Sequence, residues 1–239
     1  MKYVFSFLSA AVIIFSSSFV DKSITNHSNE NLSANEKAGL IKMREEEKLA
    51  YEVYTFLDEK WDHQVFKNIK QSEFRHMEMI KSLLDKFELQ DPYIDQMGKY
   101  NDVPMQQLYD HLTVKGSVSL QEAFIVGATI EDLDIADLEQ LIIETTNSDI
   151  KDVYEILNSG SRNHIRAFTK QLSKMQVTYT PQYITQEKYT NIINGSHENG
   201  CAKDNGNSCN KGNGCQGKSS KACVGSYNGN RGKQSSCKH

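Results

Sequence analysis

Charged residues interrupt an otherwise regular apolar pattern at a few places along this chain. Positions 66, 69, 73, 76, 80, 83 and 87 alternate in steps of three and four. Phe66, Ile69, Ile80, Leu83 and Phe87 are apolar, but Glu73 and His76 are not. That spacing marks the face a helix turns towards its neighbours, and residues three apart share it. A carboxylate and an imidazole therefore stand where the pattern demands leucine. Burying an unpaired carboxylate costs several kcal/mol, so something must compensate.

Three further stretches repeat the period. The first runs Leu40, Met43, Glu47, Ala50, Tyr54, Leu57, Trp61; Glu45 and Glu46 fall off it and are expected to be solvated. Ser33 with Glu36 makes a capping box that starts this helix. Asp62 and His63 mark a turn, and the second helix is expected from about Gln64 to Leu89, ending at Asp91-Pro92. About thirty residues with Gly98, Pro104 and Gly116 follow, with a short helical piece near Met105 to Leu112. A connection this long can carry the chain from one end of a bundle to the other. The next stripe is Leu120, Phe124, Gly127, Glu131, Asp134, Leu138, Leu141, capped by Ser119 with Glu122. The last is Ile150, Val153, Leu157, Gly160 or Ser161, His164, Phe168, Met175, capped by Ser148 or Asn147. Beyond it, Tyr179 to Tyr189 reads as an extended strap leading into a short final helix. The fold class is all-α, with four long helices and a long crossover between the second and third.

The polar residues on these seams are Glu47, Glu73, His76, Glu131, Asp134 and His164. Oxygen and imidazole donors without thiolate suit iron or manganese, and less uniquely zinc. Carboxylates can bridge two cations, which in turn remove the repulsion among clustered acids. Tyr54 is expected to aim its hydroxyl at the site. His63 and His111 lie off the seams and are expected at the surface. Arg162 and Arg166 flank His164 and either pair with acids of neighbouring helices or face water.

Composition divides the chain. The net charge is −4, but from Gly195 onward seven Lys/Arg face only Glu198 and Asp204, a net of +5, so the first 194 residues carry −9. All five cysteines lie in that tail, and hydrophobic content is only 38% over the whole chain, which places part of it outside any core. Residues 1–20 read as a signal peptide: Lys2, an apolar run from Tyr3 to Phe15, then Ser16, Ser17 and Ser18, with cleavage near Val20. An uncleaved anchor is the other reading. The expected location is periplasmic or extracellular, which permits disulfides. Residues 21–33 are a flexible leader, 34–194 the helical domain and 195–239 a Gly/Asn/Cys-rich basic tail. Cys201, Cys209, Cys215, Cys223 and Cys237 show no Cys-x-x-Cys zinc spacing. The tail either contacts an anionic cell-surface polymer or is a solvated appendage. No nucleic-acid partner is expected.

The segments Met43-Arg44-Glu45-Glu46-Glu47-Lys48-Leu49-Ala50, Ser72-Glu73-Phe74-Arg75-His76-Met77, Glu131-Asp132-Leu133-Asp134-Ile135-Ala136-Asp137-Leu138 and Gly160-Ser161-Arg162-Asn163-His164 carry a resemblance. The chain resembles the ferritin-like di-iron carboxylate superfamily and, within it, the DUF2202 family, over roughly residues 34–194. Glu47, Ala50 and Tyr54 are similar to the rubrerythrin first-helix pattern. Glu73 with His76, and Glu131, match the second- and third-helix ligands. The fourth helix departs, because Ser161 stands where a Glu is expected; Glu155 lies on the wrong face, and Asp134 could replace the missing acid. The resemblance implies a di-iron site with ferroxidase or peroxidase-like chemistry, oxygen or peroxide as substrate and an external electron donor, with a homodimer as one assembly. Competing readings are a metal store and a non-enzymatic helical scaffold with a buried Glu/His network and an interacting tail.

Overall fold

Ser33 accepts the Glu36 N–H at 3.1 Å, and Glu36 returns to the Ser33 N–H at 2.8 Å, so the capping box starts the first helix as expected. The computed structural model describes residues 32–198. The signal peptide, most of the leader and the cysteine tail lie outside the described residues. Within them the chain forms six helices and no strand: α1 (Ala34–Trp61), α2 (Gln64–Lys86), α3 (Val103–Gly116), α4 (Leu120–Glu144), α5 (Ser148–Lys174) and α6 (Gln186–Asn194). None of them is long and apolar enough to cross a membrane.

Local chemistry sets the ends. Asp62 takes a left-handed conformation (φ 46°) to stop α1, and His63 caps α2 by accepting the Val65 N–H. Helix α2 stops at Lys86, earlier than expected, because Glu88 turns left-handed (φ 55°) and the Leu89 N–H returns to the Leu84 carbonyl at 2.9 Å. The chain is out of the helix before Asp91-Pro92 can act. Ser119 caps α4, and Asn147 rather than Ser148 caps α5.

Side-chain contacts give the helix directions. Glu36 of α1 meets Thr145 at the end of α4 (2.9 Å), Lys42 meets Asp137 (2.8 Å) and Tyr54 meets Glu131 (2.5 Å), so α1 and α4 are antiparallel. Lys86 pairs with Asp149 and Glu73 faces His164, so α2 and α5 are antiparallel too. The two-residue turn between α1 and α2 makes those neighbours antiparallel as well. Helices α2 and α4 therefore run the same way, and residues 87–119 form the crossover this requires.

Two apolar clusters fill the interior. One holds the aromatic group Tyr54, Phe66, Phe124 and Phe168; the other holds Leu40, Met43, Ile80, Leu84, Leu138 and Leu157. The Phe66 and Phe124 rings stack at 5.6 Å, a kind of contact that adds about 0.5–1.5 kcal/mol beyond burial. Along every long helix the charged seam residues fall between these two clusters.

Glu45 and Glu46 are buried, against expectation. Helix α1 packs on α2 and α4, and α3 and the crossover cover its remaining side, so little of its circumference reaches water.

Candidate metal centre

Glu73 occupies the middle of the interior and is fully buried. Its Oε2 lies 2.8 Å from His76 Nδ1, one turn along α2, and its Oε1 lies 2.7 Å from His164 Nδ1 on α5. Each histidine has a second carboxylate. Glu47 Oε2 of α1 is 3.3 Å from His76 Nδ1, and Glu131 Oε2 of α4 is 3.4 Å from His164 Nδ1. The two rings lie nearly parallel with centroids 5.7 Å apart. The result is two overlapping groups, Glu47–Glu73–His76 and Glu73–Glu131–His164, with donor atoms within 4.8 Å of one another in each.

The donors are poorly satisfied by one another. Both oxygens of Glu47, Glu73 Oε1, Glu131 Oε2, Asp134 Oδ2 and His164 Nδ1 are buried without a hydrogen-bond partner among the described residues. His164 Nδ1 and Glu73 Oε1 are close, yet their directions make no hydrogen bond. Orphaned buried polar atoms cost about 1–3 kcal/mol each, more when charged. Oxygen and imidazole donors converging within a metal's coordination diameter fit a divalent cation in each group.

The electrostatics point the same way. Burial pushes the Glu47 carboxyl up to about 7 against the pull of His76, with the charge of Glu73 adding to the rise. Glu131 is likewise pushed up to about 7 by burial, against His164. Burial opposes the ionisation of Glu73, but the two flanking histidines hold it below the usual carboxylate range. Burial lowers and the neighbouring acids raise His76, which ends at about 9. Without cations, the cluster manages its charge by protons.

Five of the six seam residues thus come together. Asp134 is buried beside them, its carboxyl pushed up by burial and then by Glu47 and Glu131, but it belongs to neither group. Ser161, at the position of the expected acid, turns its hydroxyl to the Leu157 carbonyl at 3.2 Å and offers no ligand. Tyr54 donates to Glu131 Oε1 at 2.5 Å, as its place on the seam suggested. Its hydroxyl proton is held more tightly than usual, by burial and by the Glu131 charge. Glu155 and His111 are exposed. His63 is half-buried rather than at the surface, with its ring edge-on to Phe124 at 4.9 Å, because capping α2 draws it inward.

A family model described as an uncharacterized protein domain, DUF2202, matches residues 36–196. The chain belongs to the DUF2202 family. The uncharacterized protein MJ0754 of Methanocaldococcus jannaschii is 52% identical over 170 residues, 71% of this chain and 92% of that protein. The crystal structure of the hypothetical protein MJ0754 from Methanococcus jannaschii DSM 2661 matches with a TM-score of 0.69 at 52% identity, over 70% of this chain and 96% of that one. Every residue of the two Glu/His groups lies inside the DUF2202 match.

Further residues of the DUF2202 domain border the site, and Gly160 among them is one of the two alternatives on the last stripe. Gly160 leaves room for the His76 ring: a Cβ there would lie 2.5 Å from His76 Cε1. Glu46 and Asp137 extend the acidic interior towards the surface, where Lys42 meets both. Arg162 and Arg166 both grip Glu198, which lies two residues past the DUF2202 match.

Proposed function

We propose that the DUF2202 domain of this chain is a ferritin-like bundle around a two-metal carboxylate–histidine centre, with iron as the metal and oxygen- or peroxide-linked redox chemistry as its function. Manganese suits the same donors, and zinc suits them less uniquely. One observation carries the reading. The two oxygens of Glu73 face two different histidines, each backed by its own carboxylate, and most of these donor atoms are otherwise unpartnered. Glu73 would bridge, Glu47 and His76 would complete one position, and Glu131 and His164 the other. A bound iron pair supplies electron transfer to oxygen or peroxide.

The chain's own residues supply the setting. Tyr54 occupies Glu131 Oε1 and leaves Oε2 turned to His164. Apolar clusters on both sides keep water out and strengthen every electrostatic contact within. The sequence carries no Cys-x-x-Cys pair of the kind a built-in rubredoxin-like relay uses, and on this reading reducing equivalents would come from an external donor. With residues 1–20 read as an export signal, this chemistry would lie outside the cytoplasm.

The test is elemental analysis of the full chain, its cysteines alkylated, after anaerobic Fe(II) loading. About two metal ions per chain are expected, and Glu73→Ala should lose them while remaining helical. One observation favours a metal-free scaffold instead: His76 Nδ1 and Glu73 Oε2 form a hydrogen bond on their own. In that case no metal is retained, and Glu73→Ala lowers helicity and Tm.

A further inference from the structure

The buried acids do not end at the two histidine groups. On α1, Glu46 sits beside Glu47 and is only 4% exposed. On α4, Asp137 sits one turn beyond Asp134. Because α1 and α4 are antiparallel, these four acids fall on one interface and form a file from the surface to the interior. Asp137 stands at the outer end with its side chain 25% exposed, Glu46 lies behind it, and Asp134 and Glu47 lie next to Glu73 and Glu131. Lys42 holds the mouth. Its ammonium is 2.8 Å from Asp137 Oδ1 and 3.5 Å from Glu46 Oε1, on a side chain 46% exposed.

An ordinary surface ion pair would leave nothing unsatisfied. Here Glu46 Oε2, Asp137 Oδ2 and Asp134 Oδ2 are all buried without hydrogen-bond partners among the described residues. Glu46 and Asp134 are themselves more than nine-tenths buried. The outer pair already holds a cation, the Lys42 ammonium, on a long flexible stem.

We infer that Asp137, Glu46 and Asp134 form an entry path for divalent cations, with Lys42 as a displaceable occupant of its mouth. This inference rests on the two-metal reading of the inner site. An incoming hydrated cation displaces the ammonium at Asp137 and Glu46, exchanges water for carboxylate oxygen, and passes by Asp134 to Glu47 and Glu73. No covalent or redox step is involved. The path lies across the centre from the histidine edges, where His76 is 5% and His164 8% exposed.

The test uses Co(II) alone as probe and the full chain with alkylated cysteines. Ligand-field absorption on mixing gives the loading rate, and its final intensity gives occupancy. Asp137→Asn should load about tenfold more slowly to the same end point, since one charge at a focusing mouth is lost. Lys42→Gln should load faster than the wild-type chain by a similar factor. Both changes are at partly exposed positions, and circular dichroism confirms the fold. Equal rates in all three chains, with full loading, overturn the entry path and leave the two-metal centre standing, filled past the histidines. No uptake by the wild-type chain overturns both.

Discussion

Gly160 offers the sharpest test of the site, because the substitution to alanine separates folding from ligation. In a helix interior, Gly→Ala is worth about 1 kcal/mol of stability. Here the new Cβ would lie 2.5 Å from His76 Cε1 and 2.7 Å from Nε2, where ordinary contact is 3.4–4 Å. Relief requires the ring to move by about 1 Å, or the helices to part at an overpacking cost of about 1–3 kcal/mol. The ring is the softer element, but its retreat is towards Glu73, Glu47 and the His164 ring. Helix gain and strain therefore nearly cancel, and Tm should change by only a few degrees. His76 Nδ1 is displaced, so affinity at the Glu47–Glu73–His76 group should fall about 10–100-fold, as when a ligand loses its support. Glu73–Glu131–His164 should be little affected. Titration with Mn(II) by equilibrium dialysis should show one retained and one weakened position. Gly127→Ala is the control: its Cβ would strike Phe168 at 2.5 Å in the aromatic cluster, lowering Tm while both positions survive. Two unweakened positions in a folded Gly160→Ala chain would refute the placement of His76 as a ligand.

Two further predictions concern stability. Burial raises the Glu36 carboxyl, but hydrogen bonds from Ser33, Thr145 and Thr146 outweigh it and bring it down to about 2. A depressed carboxylate stabilises the fold above its unfolded value of 4.5 and loses that contribution as pH falls through about 2; the amount is on the order of 2–3 kcal/mol. Urea unfolding of Glu36→Gln should therefore show lower stability at neutral pH and a flatter decline between about pH 4.5 and 2; an unchanged decline would count against it. Asp132 accepts N–H groups from Gln182, Tyr183 (3.1 Å) and Ile184 (2.9 Å) and the Tyr179 hydroxyl (2.9 Å), which fastens the strap before α6. Asp132→Ala should cost on the order of 3 kcal/mol and remove hydrogen-exchange protection from residues 182–184; retained protection there would show that the strap is held by other contacts.

The four long helices and the five convergent seam residues were legible because a single physical rule governs both. A polar residue on an apolar stripe must face the interior, and four stripes from neighbouring helices face the same interior. The capping residues Ser33 and Ser119 were legible for a similar reason, since their bonds close within three residues. Glu46 was not legible, because periodicity gives one core-facing stripe and α1 is covered on nearly every side. Asp132 and the second role of Glu36, beyond its capping box, were missed for a different reason: the partners include backbone N–H groups about fifty and about a hundred and ten residues away, which have no side-chain signature. The early end of α2 depends on the left-handed turn at Glu88, a residue with no special preference for it. Ser161 was recognised as a departure, but its consequence depends on Gly160 beside it, whose missing Cβ makes space for a ring from another helix.

The crossover explains why the acids extend to one side of the centre only. Arg44 donates to Asp91 at 3.0 Å and to the Met77 carbonyl at 2.7 Å, fixing the start of the connection against α1. Lys48 reaches the Lys99 carbonyl at 3.1 Å, and Glu52 accepts from the Gly98 N–H at 2.9 Å and the Tyr100 hydroxyl at 2.7 Å. Trp61 then donates to the Gly116 carbonyl at 2.9 Å, immediately before α4 begins. These contacts follow α1 from Arg44 to its last residue, so the connection travels the length of that helix before α4 turns back along it. With α4 in this direction, Asp134 and Asp137 point towards Glu46 and Lys42. A short α2–α4 loop would reverse the helix and bring those two acids to the end of the bundle that holds Tyr54 and Phe66, away from Glu46 and Lys42. The contacts of the crossover along the outer face of α1 go with this direction of α4, and that direction gives the centre an acidic side and an aromatic side.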